Sequence, residues 1–200
     1  MTMRCVVLIS GRGSNLQALL EAELPIEIAA VISNRAGADG LDIARAHGVD
    51  AVVVPHRDYA TREAFEAKLA EVIDRHDPGL VILAGFIRVL TPSFVDRYAG
   101  RMINIHPSLL PSFPGLDTHR RAIDAGVRIH GCTVHFVTSE LDHGPIIDQA
   151  AVPVLADDTE DTLAARVLVE EHRIFPLAVA MFAERRLRID GNRVLVDASR

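Results

Sequence analysis

Apolar and polar positions along this chain fall into two alternating patterns. Residues 4–10 (RCVVLIS), 26–33 (IEIAAVIS), 51–54, 80–83 (LVIL) and 102–106 are short, nearly continuous apolar runs. Such runs predict strands buried on both faces. Between them lie stretches with helical spacing: 15–22, 41–47 closed by Gly48, and 61–75 with Phe65, Leu69, Val72 and Ile73 on one side. A further helix opens at Thr91-Pro92. Thr61 and Thr91 are N-cap residues by type, and Pro92 suits the first helical position. Strand and helix in alternation predict an α/β fold with a doubly wound, mainly parallel sheet.

After residue 106 the pattern changes. Residues 107–117 (PSLLPSFPGLD) read as a loop and 119–125 as a short helix. The runs 129–137 (IHGCTVHFV) and 146–154 (IIDQAAVPV) are separated only by 138–145, and so short a connection predicts an antiparallel pair. Residues 161–186 form one long amphipathic helix, bent near Pro176, and 187–196 read as a hairpin around Asp190-Gly191-Asn192. Without repeats or a linker-like tract, residues 1–200 read as a single domain.

Composition narrows the function. A length of 200 residues with 49% hydrophobic content fits one full core. The net charge of −6 disfavours a nucleic-acid partner, which needs a basic face. No run approaches a membrane span, and no signal-peptide pattern opens the chain, so a cytoplasmic location is expected. Cys5 and Cys132 sit in apolar runs and read as buried free thiols. The apolar face near the fourth and fifth strands and the long helix would serve a homodimer as well as a core.

Three constellations carry chemistry. Gly11-Arg12-Gly13-Ser14-Asn15 joins the first strand to the first helix. Glycines there admit an anion to the unpaired amides of a helix start. Leu16 stands where a dinucleotide fingerprint needs its third glycine, and Ser33-Asn34-Arg35 offers no acid for a ribose, so a monophosphate fits better. A tight turn with no ligand is the competing reading. Second, Asn104 and His106 point to the same side of a strand that Pro107 ends. In open α/β sheets that edge is where ligands bind. An amide donor and a titratable ring there can stabilise an oxyanion and move protons; a satisfied buried pair is the plainer alternative. Third, Asp142 lies in a Gly/Pro loop, where an acid is usually a solvated turn residue, but the loop could bring its carboxylate to His106. His130 and His135, five apart in one strand, predict opposite faces and no metal site. His119 could line the site, whereas His47, His56 and His76 read as surface or turn residues.

Taken together, segments 7–20, 32–35, 83–95, 100–123, 130–137, 140–154 and 166–176 resemble the glycinamide ribonucleotide (phosphoribosylglycinamide) formyltransferase family nearly end to end. NIHPSLLP at 104–111 is shared by folate-dependent formyltransferases more widely, and GRGSN at 11–15 is more specific to this branch. The resemblance implies a Rossmann-like formyltransferase fold. It implies formyl transfer from 10-formyltetrahydrofolate, a co-substrate, to the amino group of glycinamide ribonucleotide, with no metal and no tightly bound cofactor. Asn104, His106 and Asp142 would be catalytic. Gly13, Ser14, Asn15 and Glu171 would bind the ribonucleotide, and Arg62, Ile87, Arg88, Val89 and Leu90 the folate. Residues 1–106 would then be the ribonucleotide-phosphate half, and 107–200 would supply folate-site loops, the later strands and the long helix. His143 follows Asp142 where the family often has a small residue; it is given no role.

Rival readings are formyltetrahydrofolate deformylase, which gives the formyl group to water, and a nucleotide-binding module without catalysis. The deformylase usually carries an extra N-terminal domain, whereas this chain enters its first strand at once. Methionyl-tRNA formyltransferase is disfavoured by the acidic balance and by the lack of sequence for a further C-terminal domain.

Overall fold

The apolar runs form strands where their composition predicts, because a strand buried on both faces has no polar side to present. The computed structural model describes residues 2–197. Residues through Asn104 make one compact unit and those from Ile105 a second.

The first unit contains β1 (Met3–Ile9), α1 (Ser14–Glu21), β2 (Ile26–Ser33), α2 (Gly40–Ala46), β3 (Asp50–Val53), α3 (Arg62–Asp74), β4 (Leu80–Leu83) and α4 (Pro92–Arg97). It ends inside β5 (Met102–His106). Its strands pair in parallel in the order β3-β2-β1-β4-β5. The order reverses between β1 and β4, so the carboxyl ends of those two strands flank the crevice where doubly wound sheets take ligands. From Cys5 to Ile9 β1 is wholly buried, as is all of β4. Both predicted caps form: the Thr61 hydroxyl accepts from the Ala64 amide at 3.1 Å, and that of Thr91 from the Phe94 amide at 3.4 Å. Glu66 breaks the apolar face of α3, and it is satisfied by accepting from the amide and hydroxyl of Thr91.

The second unit contains α5 (Thr118–Asp124), β6 (Ile129–Phe136), β7 (Ile146–Pro153), α6 (Glu160–Ala183), β8 (Leu187–Asp190) and β9 (Arg193–Val196). β6 and β7 are antiparallel, with a register shift between Val134 and His135. β8 and β9 make the expected hairpin, and β9 also runs parallel to β7 at Ile146 and Arg193, a pairing the sequence pattern did not predict. α6 begins on a capping box of Thr159 and Thr162 and contains Pro176. It ends at Ala183, short of the predicted 186, because Arg185 takes a positive φ of 57°. Its buried stripe runs Leu163, Val167, Glu171, Ile174, Ala178. Cys5 and Cys132 are buried free thiols, and burial pushes both up to about 12.

Candidate functional site

In the first unit, Gly13 caps α1 in the left-handed region, with φ 78° and no side-chain cap. A Cβ there would come within 2.6 Å of the Gly40 Cα, so both its conformation and its neighbour demand glycine. Gly13 has no side chain to cap α1, and Ser14 and Asn15 follow it in the first turn. After β4, Phe86 and Leu90 are buried while Ile87 and Val89 between them are 50% and 53% exposed. The Arg88 guanidinium lies over the Phe65 ring. Arg62, the first residue of α3, is exposed.

Along β5, Met102, Ile103, Ile105 and His106 are buried and Asn104 is half-buried. Strand alternation sends Asn104 and His106 from the same face, and the strand ends at His106 before Pro107, as expected.

In the second unit, the His106 ring sits between two acceptors. Its Nε2 lies 3.0 Å from the Phe113 carbonyl oxygen, and its Nδ1 lies 3.5 Å from Asp142 Oδ2. Both side chains are almost fully buried. Each ring nitrogen thus faces an oxygen acceptor, a carboxylate on one side and a carbonyl on the other. Asp142 is fixed in turn: its Oδ2 accepts from the Gly115 amide at 2.7 Å, and its own φ is 52°. The proximity of Asp142 to His106, which sequence could only suggest, is therefore present.

His135 is the site residue that sequence reasoning missed. Its Nε2 is 4.0 Å from Asp142 Oδ1, while Nδ1 meets the Phe136 carbonyl oxygen at 2.9 Å. Nothing in an apolar run distinguishes it, and the register shift beside it is invisible in composition. Thr133 was also missed. It donates to the Ser108 carbonyl at 2.7 Å and accepts from the Leu110 amide at 3.0 Å, so it pins the 107–112 loop to β6. His119 packs edge-on against His130, with ring nitrogens 3.2 Å apart. His56 is not a simple turn residue: it is half-buried and meets Asn34. Glu171 is buried on α6, and its charge adds to burial in raising the Cys132 thiol. His143 is exposed and pairs with Glu140 at 3.2 Å. Among the described residues no cluster of His, Cys, Asp or Glu is arranged for a metal ion, and no helix is long and apolar enough to cross a membrane.

Burial pushes His130 down to about 4, with His119 adding to the effect, and burial likewise lowers His119 and His135. An unfolded histidine titrates near 6.5. Below about that pH the unfolded chain binds protons that native His130 refuses. Its contribution is therefore complete above about pH 6.5 and is lost as pH falls toward about 4. Urea unfolding is expected to show stability dropping between about pH 7.5 and 4.5, by roughly 2–3 kcal/mol from His130 alone. His130→Gln should flatten that slope; an unchanged slope in the variant would acquit His130.

The fold is that of one class, the formyl transferases. Residues 3–179 match the formyl transferase family model, and the chain belongs to that family. It is 49% identical to the phosphoribosylglycinamide formyltransferase of Escherichia coli (strain K12), over 99% of this chain and 95% of that protein. It is 47% identical to part of the trifunctional purine biosynthetic protein adenosine-3 of Bos taurus, covering 94% of this chain and 19% of that protein. Among solved structures it resembles glycinamide ribonucleotide transformylase 1 from Symbiobacterium toebii, with a TM-score of 0.96 and 50% identity, covering 98% of this chain and 95% of that one.

Proposed function

We propose that this enzyme transfers the formyl group of 10-formyltetrahydrofolate to the amino group of glycinamide ribonucleotide, in purine biosynthesis. The folate is a co-substrate, no cofactor is held tightly, and the setting is the cytoplasm. The observation that carries the reading is the buried His106–Asp142 contact at 3.5 Å, on a strand that presents Asn104 two residues earlier.

The substrate amine attacks the formyl carbon, and negative charge builds on the formyl oxygen. Asn104 donates its amide N–H to that oxygen. His106, oriented by Asp142, exchanges the Phe113 carbonyl for the same oxygen and gives a second donor. The proton lost by the amine must reach the departing folate nitrogen, through His106 or a water on Asp142. Exposed Ile87 and Val89 supply apolar contacts suited to the flat rings of a folate, and Arg62 and Arg88 suit its carboxylates. The uncapped start of α1 with Ser14 and Asn15 suits the phosphate of the ribonucleotide, and Glu171 suits its polar groups.

The decisive experiment mixes enzyme with 10-formyltetrahydrofolate and follows folate absorbance with and without glycinamide ribonucleotide. Conversion should require the ribonucleotide; conversion indifferent to it would make the protein a deformylase. Ser14→Ala should raise the ribonucleotide KM about tenfold, the worth of one hydrogen bond to a charged group, and leave kcat nearly unchanged. An unchanged KM would withdraw the phosphate assignment.

A further inference from the structure

The crevice between β1 and β4 holds a buried polar network that the reaction does not use. Ser10, directly after β1, donates its backbone N–H to the Gly85 carbonyl at 3.0 Å. Its hydroxyl accepts from the Ile87 amide at 2.8 Å and donates to Asn34 Oδ1 at 2.6 Å. Ser10 and Asn34 are both buried. Asn34 Nδ2 in turn lies 3.2 Å from His56 Nδ1. The segment that follows β4 has no regular secondary structure, so its shape depends on such ties. One end is bound at Gly85 and Ile87 by Ser10, and the other at Thr91 by Glu66.

We propose that Ser10 is a positioning residue for the co-substrate. Its hydroxyl, oriented by Asn34, fixes the Ile87 amide and so presets the exposed Ile87 and Val89 side chains in their binding arrangement. This rests on the reading of residues 87–90 as the folate segment. The chemistry is specific to a hydroxyl. It must accept from one side and donate to the other, and an alanine methyl can do neither. A preset segment binds more tightly because it has less freedom to lose.

In the wild-type protein, the Ile87 amide should exchange with solvent at least tenfold more slowly than those of Arg88 and Val89. Equal rates overturn the proposal without any variant. Ser10→Ala should abolish that protection and raise the 10-formyltetrahydrofolate KM about five- to tenfold, with kcat and the ribonucleotide KM within twofold. Should that variant not fold, Asn34→Ala keeps the hydroxyl but frees its proton, and should raise the same KM two- to fivefold. Val89→Asp separates the two readings. If it raises the folate KM while folded Ser10→Ala does not, Ser10 is merely structural and the proposal is overturned alone. If neither moves that KM, the folate segment itself is misassigned and the proposal falls with it.

Discussion

Asn104→Ala is expected to lower turnover by about 10²–10³ while the protein stays folded. The side chain is half-buried at the end of β5, and alanine leaves the strand backbone and its pairing with Leu83 in place. In the proposed mechanism what is lost is an N–H donor where charge develops on the formyl oxygen. Water is a poor replacement, because it must reorient as the charge forms. The loss should fall on kcat and kcat/KM together, the signature of an interaction made in the transition state. Asn104→Asp should do at least as badly, since it removes the donor and sets a negative charge beside the oxyanion. Steady-state kinetics on variants with native circular dichroism decide the matter. Turnover within threefold of wild type in Asn104→Ala would remove this residue from the mechanism.

That Asn104 and His106 were legible in the sequence, and His135 was not, has a physical reason. Two-residue periodicity and a following proline place both polar groups on one face at a strand end, and no tertiary information is needed. The same holds for Thr61 and Thr91, whose caps are local to four residues. His135 acquires its meaning only from Asp142, which returns to it across a turn and past a register shift. The Ser10–Asn34–Ile87 network spans the ends of three segments far apart in the chain, and residue types as ordinary as serine and asparagine give no hint of it. Glu171 lies between these cases. It occupies a position in the α6 stripe where the spacing of Leu163, Val167 and Ile174 calls for an apolar residue. A carboxylate there is costly unless it has partners, so the break in the pattern was itself a readable signal.

Gly144→Ala should cost turnover about as much as removing Asp142, without touching a reacting group. A Cβ on Gly144 would overlap the Phe136 carbonyl oxygen and press on Thr138 Cγ2 at 3.2 Å. Backbone cannot yield as a flexible side chain does. The tie from the Phe136 amide to the Pro145 carbonyl, 2.9 Å, must lengthen and the 138–145 loop must shift. Asp142, two residues away, then leaves His106 and the Gly115 amide. A displacement of about 1 Å in a catalytic group costs on the order of 10² in rate. The loss should appear in kcat, with the ribonucleotide KM little changed, because neither the Gly13–Asn15 turn nor Glu171 lies in the 138–145 loop. Asp142→Ala provides the comparison. If Gly144 acts only by placing Asp142, the double variant should be no slower than Asp142→Ala alone. Losses that multiply would mean that the glycine supports catalysis by some route other than the carboxylate.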